Sequence, residues 1–339
     1  MDRRDFLKTA GLAGAATMSG AIGVIEPTFA AAQAAPNTSG GLPKSLTFAT
    51  LRRPDGYGLG VKTERGILYV VAAEQDFRAH APTTIDAALK GQGDLAGLSQ
   101  LIDKASASAA PDRYFIPVDK AQFGPCITNP EKILCVGLNY RRHAAEIGQP
   151  VPTVPVLFNK FNNALNHHGG TIAVSEEAAE KFDYEAELVI VIGRTARNVS
   201  EADALNYVFG YCTGNDFSAR DLQFLTSQWM LGKTSDGFAP IGPWLVSADQ
   251  VNPDNLKIGC KVNGEVRQDW TTSDMVFNCP QIISFCSKYM TLKPGDIIFT
   301  GTPQGVILGY PKDKQVWLKA GDHLVTSIEK LGDLEFKLV

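Results

Sequence analysis

The sequence predicts an α+β fold dominated by strands, in which a small N-terminal α+β domain precedes a larger β-rich domain. Short apolar runs of strand length recur along the chain and are separated by turn residues, with few helical stretches between them. No Gly-x-Gly-x-x-Gly loop follows a strand, and no Gly-x-x-x-x-Gly-Lys-Ser/Thr loop occurs. A doubly wound nucleotide-binding fold therefore has no support, and a rolled or sandwiched mixed sheet is the expected architecture.

The first 35 residues have the layout of an export signal. Arg3 and Arg4 precede a weakly hydrophobic stretch over 9–25 that is rich in Ala and Gly, and small residues at 30–35 offer cleavage sites. A charged start, an apolar run and a small-residue cleavage site define such signals, and paired arginines indicate the twin-arginine route. We therefore expect a periplasmic or otherwise exported protein with no stable membrane anchor after signal cleavage.

Composition and charge narrow the class of function. The chain has 339 residues, of which 44% are hydrophobic and 20% charged, and a formal net charge of -4. Beyond the N-terminus no cluster of Lys and Arg is present, so we expect no nucleic-acid partner. The six cysteines form no Cys-x-x-Cys pair. This spacing excludes a zinc ribbon and favours buried free thiols, although it does not exclude a single disulfide.

The segment 36–128 is predicted to form the small N-terminal α+β domain. Strands are expected at 46–49, 57–62 and 66–73, where the last is an apolar, β-branched run. Apolar residues at near-helical intervals predict one helix over 84–107. These elements suffice for a domain of ordinary small size.

The segment 129–339 is predicted to form the larger, catalytic domain. Its helices are expected at 202–208 and 280–289, and Asn263-Gly264 marks a two-residue hairpin turn. The expected strands are at 132–137, 156–160, 186–192, 208–215, 244–247, 257–262, 297–300 and 323–328.

Acidic residues alternate along the start of one apolar strand, at Asp183, Glu185 and Glu187. Alternate residues of a strand share a face, and carboxylates this close repel one another, which favours a cation between them. Asp216 directly follows the apolar strand 208–215, where it is placed to complete the site. Oxygen ligands favour Mg2+, Mn2+ or Ca2+ over zinc. The alternative is a solvated acidic strand face, with Asp216 as a helix N-cap.

Two other segments carry candidates for the chemistry. His143 and Glu146 are three residues apart and so are neighbours on one helical face. A carboxylate that orients an imidazole makes a general base for water, although such pairs are also common on surfaces. Lys233 is flanked by glycine and apolar residues. In such surroundings a lysine can stabilise an enolate, and a surface charge is the alternative.

Two candidates for substrate binding, Arg220 and Thr302, are identified by their positions after predicted strands. If a helix starts at Asp216, Arg220 lies one turn later and faces the same cavity, where it can pair with a substrate carboxylate. An i,i+4 ion pair with Asp216 is the alternative. Thr302 lies in a turn after an apolar strand. Backbone N–H groups and hydroxyls in such a turn can bind a carboxylate or an oxyanion. The alternative is a turn with no binding role.

Together these segments resemble the fumarylacetoacetate hydrolase superfamily from residue 132 to the C-terminus, and in particular its acylpyruvate hydrolase and 5-carboxymethyl-2-hydroxymuconate isomerase-like branch. The matching segments, in order, are Asn-Tyr-Arg-Arg-His-Ala-Ala-Glu at 139–146, Asp-Tyr-Glu-Ala-Glu-Leu at 183–188, Asn-Asp-Phe-Ser-Ala-Arg-Asp-Leu-Gln at 215–223, Gly-Lys at 232–233 with Pro-Ile-Gly-Pro-Trp at 240–244, and Thr-Leu-Lys-Pro-Gly-Asp at 291–296 with Thr-Gly-Thr-Pro at 300–303.

The resemblance implies a mixed β-roll catalytic domain, a homodimer and a bound Mg2+ (or Mn2+ or Ca2+). By position it assigns Glu185, Glu187 and Asp216 as metal ligands, His143 and Glu146 as the water-activating dyad, and Arg220, Gln223, Lys233 and Thr302 as residues that contact substrate. It gives Asp183 no ligand role.

The function predicted from these residues is metal-dependent hydrolysis of a C–C bond in an acylpyruvate-type keto acid. Two alternatives use the same site: decarboxylation of a 3-oxo acid, and isomerisation of a hydroxymuconate-type acid. A third alternative is an exported, non-catalytic binding protein on the same scaffold.

Overall fold

Two β-sheets and a separate strand pair organise residues 41–175 and 177–339, which are the residues that the computed structural model describes. The predicted export signal lies outside them. The strands are β1 (Thr47–Arg53), β2 (Gly56–Thr63), β3 (Gly66–Tyr69), β4 (Phe115–Ile116), β5 (Ile133–Gly137), β6 (Val156–Lys160), β7 (Leu165–His167), β8 (Gly170–Ile172), β9 (Phe182–Asp183), β10 (Ala186–Ile192), β11 (Val208–Asn215), β12 (Ser218–Ala219), β13 (Ala239–Ile241), β14 (Leu245–Ser247), β15 (Lys257–Val262), β16 (Glu265–Thr271), β17 (Ile297–Phe299), β18 (His323–Ile328) and β19 (Gly332–Leu338). The α-helices are α1 (Val70–Phe77), α2 (Ile85–Leu89), α3 (Gly97–Ser106), α4 (Arg141–Glu146), α5 (Arg220–Gln223) and α6 (Cys279–Tyr289).

The larger sheet has the order β4-β3-β2-β1-β14-β11-β10-β17-β5-β6, with β13 and β7 attached beside β11. The smaller sheet has the order β16-β15-β18-β19-β8, and β12 pairs with β9. Parallel pairs such as β17–β5 occur among mostly antiparallel ones. The mixed, strand-rich α+β architecture predicted from the sequence is confirmed.

The N-terminal strands extend the larger sheet. Strand β1 pairs antiparallel with β2 on one side and with β14 on the other, so residues before and after position 128 share one sheet. The described residues belong to one compact unit. The boundary between the two predicted domains at 128 and 129 stays a prediction.

Two N-terminal elements differ from prediction. The run 66–73 is a strand only to Tyr69, because Val70 starts α1 and packs into the core with Ala73, one helical turn later. The single helix expected at 84–107 is two helices, α2 and α3. The chain between them passes through Gly91 (φ 66°) and Gly93 (φ 87°), left-handed backbone that no α-helix contains.

The centre of the larger sheet is the antiparallel pair β10 and β11. Every residue of both strands is buried, as expected for continuous apolar runs covered on both faces. Their register pairs Glu187 with Gly214 and Ala186 with Asn215. This register places the start of β10 beside the end of β11, and it thereby brings the residues around Glu185 close to Asp216.

The other predicted turns and helices are present with small changes. Asn263 (φ 52°) and Gly264 (φ 84°) form the hairpin turn between β15 and β16. Helix α6 begins with a capping box in which Asn278 and Gln281 exchange side-chain-to-backbone hydrogen bonds. The helix expected at 202–208 is a short 3-10 turn at Ala204–Tyr207. Within the described part of the chain, no helix combines the length and apolarity needed to span a membrane.

Candidate active site

Three buried carboxylates meet where β10 begins and β11 ends. Glu187 is the second residue of β10, Glu185 precedes that strand, and Asp216 follows β11. Each can offer one oxygen such that the three oxygens lie within 4.8 Å of one another. The backbone fixes this approach, because Asp216 N–H donates to the Glu185 carbonyl at 2.9 Å. The predicted metal ligands are therefore together and suited to a divalent cation.

The stretch 183–187 is not the continuous strand that the alternation suggested. Strand β9 ends at Asp183 and β10 starts at Ala186, so Tyr184 and Glu185 lie in a break. Asp183 accepts hydrogen bonds from the backbone N–H groups of Ile307 (2.9 Å) and Leu308 (3.0 Å). Its carboxylate thus anchors the 305–310 loop, in keeping with its exclusion from the predicted ligand set.

Three buried cations surround the acidic cluster. Lys233 Nζ lies 2.8 Å from Glu185 Oε2 and 3.0 Å from Asp216 Oδ2. Arg220 donates through Nε to Asp183 at 2.9 Å, and its NH1 lies 2.7 Å from Glu185 Oε1. Lys160 Nζ lies 2.6 Å from Asp216 Oδ1. Buried charges need such partners, because unpaired ones carry a large desolvation cost.

The three carboxylates, Asp183 and the cations around them form one buried set, which has one more carboxylate than it has cations. The carboxylates are Asp183, Glu185, Glu187 and Asp216, and the cations are Lys160, Arg220 and Lys233. Glu187 is the carboxylate without a cation in contact; its Oε2 accepts from the Gly301 N–H at 2.7 Å. With all four carboxylates ionised the net charge of this set is -1; a divalent ion changes it to +1, which the carboxylate of a keto acid then neutralises.

The pKa values reflect the same imbalance. Burial raises the pKa of Glu187 well above its usual value, and repulsion from Asp216 and Glu185 adds to the shift. Burial would also raise the pKa of Glu185, but Lys233 and Arg220 hold it well below its usual range. Burial would lower the pKa of Lys233, but Asp216 and Glu185 raise it above its usual value, so Lys233 is a cation.

Metal affinity should therefore rise with pH. Without metal, Glu187 keeps its proton to a higher pH than an ordinary glutamate, and a ligand oxygen must lose that proton on binding. Isothermal titration of Mn2+ at about pH 5.5 and about pH 7.5, in buffers of different ionisation enthalpy, should show tighter binding at the higher pH and proton release. Affinity that does not change with pH and releases no proton would contradict the assignment of Glu187.

Lys160 is a functional residue that the sequence analysis missed. Its ammonium is buried at the end of β6, where it contacts Asp216 and donates to the carbonyls of Phe217 (3.2 Å), Lys233 and Phe238 (2.9 Å). It therefore fixes both Asp216 and the backbone that carries Lys233. A lysine at the end of the half-buried run 156–160 was the available signal.

Replacing this lysine should destabilise the protein strongly. Lys160→Met leaves Asp216 buried with one cation fewer, so the free energy of unfolding should fall by about 3–5 kcal/mol in a denaturant titration. The control is Lys293→Met, whose half-exposed ammonium pairs with Glu131 at 2.6 Å and should change stability by less than about 1 kcal/mol. Equal costs for the two variants would show that Lys160 does not hold the cluster.

Helix α4 brings the predicted dyad together. His143 Nδ1 lies 2.8 Å from Glu146 Oε1, and His143 is buried. Because an ionised carboxylate only accepts, Nδ1 carries the proton, and in the neutral imidazole this leaves the lone pair on Nε2. Glu146 also accepts from the Gly305 N–H at 2.9 Å, which ties α4 to the 305–310 loop. The contacts of Glu146 thus orient the imidazole and direct its Nε2 edge away from the carboxylate.

The predicted substrate-binding residues lie beside the cluster. Arg220 contacts the cluster from the first residue of α5. The predicted helical turn from Asp216 to Arg220 is absent, because the short strand β12 lies between these two residues. Arg220 NH1 donates to Gln223 Oε1 at 2.9 Å. Thr302 Oγ1 accepts from Gln268 Nε2 at 2.8 Å. Gln268 also accepts from the Ala186 N–H at 3.0 Å. It therefore couples Thr302 to β10, a role that the sequence did not signal.

One cavity of about 750 Å³ gathers these groups. Its wall includes eight of the nine predicted site residues, namely His143, Glu146, Glu185, Glu187, Arg220, Gln223, Lys233 and Thr302. Asp216, the ninth, is fully buried behind Lys233 and Lys160. A concave site that combines charged groups with apolar walls is typical of small-molecule binding.

The sequence from 132 to 339 matches the family described as fumarylacetoacetate (FAA) hydrolase C-terminal, and residues 1–20 match the twin-arginine translocation signal. The chain belongs to the fumarylacetoacetate hydrolase family. The members named in the following comparisons are enzymes, and the N-terminal match supports export.

Relatives and solved structures agree with this assignment. An oxaloacetate tautomerase of Xenopus laevis mitochondria is 45% identical over 63% of this chain and 67% of its own length. The fumarylacetoacetate hydrolase of Exiguobacterium antarcticum superposes with a TM-score of 0.69 at 29% identity, covering 87% of this chain and 99% of its own. The fumarylpyruvate hydrolase of Pseudomonas aeruginosa, solved with Mn2+ and pyruvate, gives 0.57 at 30% identity, covering 64% and 91%.

Proposed function

We propose that this protein is an exported, divalent-metal-dependent hydrolase of acylpyruvate-type keto acids that acts in the periplasm. The observation that carries the proposal is the His143–Glu146 pair, which lies in the wall of the same cavity as the carboxylate triad. A carboxylate-oriented histidine beside a site for a cation is the combination that hydrolysis needs. The similarity to a fumarylpyruvate hydrolase solved with Mn2+ and pyruvate supports it.

The metal is proposed to be Mg2+, Mn2+ or Ca2+, held by Glu185, Glu187 and Asp216. These residues fit such an ion because all their donors are oxygens and because Glu187 has no cation in contact. When bound, the ion supplies Lewis-acid polarisation of the 2-oxo acid end of the substrate. A homodimer is proposed as the assembly, from the resemblance to the family.

The proposed reaction assigns each step to a residue of the chain. His143 Nε2 removes a proton from water, and the hydroxyl oxygen adds to the distal carbonyl carbon of the 2,4-dioxo acid. The bond between carbons 3 and 4 breaks, and its electron pair passes to the enolate of the 2-oxo acid, beside the Lys233 ammonium. The proton held by His143 returns to carbon 3. The products are a carboxylic acid and pyruvate, so atoms and charge balance.

A second candidate is the tautomerisation of oxaloacetate, favoured by the similarity to the tautomerase. This reaction moves a proton between carbon 3 and the enol oxygen and uses no attacking water. Turnover of acetylpyruvate, fumarylpyruvate and oxaloacetate should be measured with EDTA and with added Mn2+. We expect Mn2+-dependent cleavage of the acylpyruvates. Tautomerisation without cleavage would favour the second candidate, and turnover unaffected by EDTA would contradict both.

A further inference from the structure

The cavity is larger than the reacting part of the proposed substrate. A 2,4-dioxo acid of the size of acetylpyruvate occupies only a fraction of about 750 Å³. The carboxylate triad, Lys233 and the dyad account for the end of the cavity that holds the 2-oxo acid. The remaining wall must therefore contact whatever group follows the distal carbonyl.

An aromatic wall begins next to the reacting groups. Lys233, whose ammonium contacts Glu185, lies with Nζ 5.1 Å from the centre of the Phe158 ring. Phe158 packs edge-to-face against Trp229, with ring centres 5.5 Å apart and planes at 67°. Both rings line the cavity and are only partly buried by protein. The two rings are therefore the aromatic wall that adjoins Lys233, and a substrate that contacts Lys233 can extend onto them.

The position of Trp229 depends on a glycine. A Cβ atom at Gly137, the last residue of β5, would lie 2.4 Å from Trp229 Cζ3, far inside van der Waals contact. Gly137 has no positive φ, so its backbone does not require glycine. The space that it leaves is occupied by the indole ring, which indicates that this residue sets the place of Trp229.

We propose that Phe158 and Trp229, with the clearance that Gly137 provides, select 2,4-dioxo acids whose acyl group is aryl or otherwise flat and apolar. This proposal rests on the proposed function and names its substrate class. Flat apolar groups gain offset or edge-to-face packing on such rings in addition to burial. The exposed Lys312, which also lines the cavity, offers the competing choice, a tail that ends in a carboxylate.

The test compares kcat/KM for 4-phenyl-2,4-dioxobutanoate, acetylpyruvate and fumarylpyruvate with Mn2+ present. We expect the phenyl substrate to be preferred over acetylpyruvate by about tenfold or more. Trp229→Ala should lower this preference about tenfold, and Trp229→Phe should keep most of it. Gly137→Ala should lower it too, because its methyl group displaces the indole without removing it.

The matched control is Tyr289→Ala in α6, which breaks the edge-to-face pair of Phe285 and Tyr289 (ring centres 5.1 Å apart) outside the cavity. Its substrate preference should equal that of the unchanged protein. A preference for acetylpyruvate, or a phenyl preference untouched by Trp229→Ala and Gly137→Ala, would overturn the proposal. So would a preference for fumarylpyruvate that Lys312→Gln removes.

A binding measurement distinguishes an error in the proposed reaction from an error in the proposed aromatic wall. 4-Phenyl-2-oxobutanoate lacks the carbonyl that hydrolysis attacks, so its binding can be measured without turnover. Titrated into the Mn2+-loaded protein, it should bind at least about tenfold more tightly than 2-oxobutanoate, and Trp229→Ala should remove the difference. This result without any hydrolysis would refute the reaction and retain the aromatic wall. Equal binding of the two acids would refute the wall.

Discussion

Glu187→Gln should lower the affinity for Mn2+ by more than about a hundredfold and reduce turnover with it. Changes to groups that merely orient metal ligands already cost about 10- to 100-fold, and this change removes the charge of a ligand. Glutamine has the shape of glutamate, and its oxygen can still accept from the Gly301 N–H. The metal-free variant should therefore fold normally and should be at least as stable as the unchanged protein, because the buried carboxylate that has no cation in contact has been removed.

Titration calorimetry and thermal unfolding with and without Mn2+ measure this prediction. The control is Glu265→Gln on β16, where an exposed glutamate pairs with Arg267 at the surface. This control should bind metal like the unchanged protein. A Glu187→Gln protein that binds Mn2+ normally would show that the triad is not the metal site.

His143→Ala should reduce acylpyruvate hydrolysis by about a hundredfold to ten-thousandfold, the usual contribution of a general base. The loss should appear in kcat, because the imidazole acts on water and the metal end of the substrate is held by other residues. Mn2+ affinity should be largely retained, which separates loss of the base from loss of the site. The loss in oxaloacetate tautomerisation should be smaller, because that reaction uses no attacking water.

The chain offers a matched control for this variant. His323 and Glu335 form a second His–Glu pair, with atoms 3.5 Å apart and both side chains more than one-third exposed. His323→Ala should leave hydrolysis within about twofold of the unchanged protein, since a surface pair of this kind contributes little. Hydrolysis that survives His143→Ala unchanged would refute the assignment of the base.

The sequence was informative where a residue's role follows from its place on a buried strand. Glu187 lies at the start of β10 and Asp216 directly follows β11; both strands are largely apolar in sequence and buried throughout, so the apolar runs located these two residues. Pairing those strands was not derivable from periodicity, and the antiparallel register alone decides that Glu185 lies beside Asp216. The dyad was predicted from helical spacing, because an i,i+3 contact is local.

The residues that the sequence analysis missed act across long separations in the chain. Lys160 reaches Asp216 from a strand 56 positions earlier, and Gln268, in the smaller sheet, reaches Thr302 in the turn after β17. No local pattern encodes such contacts. The misplaced helix at Arg220 has the same origin, because β12 forms only by pairing with β9. The break in the 84–107 helix, in contrast, was visible in the glycines at 91 and 93.

The most direct test of the metal site is an anomalous-scattering map from crystals grown with Mn2+ and oxalate. We expect one strong peak about 2.0–2.3 Å from an oxygen of each of Glu185, Glu187 and Asp216, with oxalate completing the coordination on the cavity side. Glu187→Gln crystals grown in the same way should lack the peak. An empty carboxylate cluster in the unchanged protein, or manganese held by other residues, would refute the assignment of these three ligands and would favour a non-catalytic binding protein.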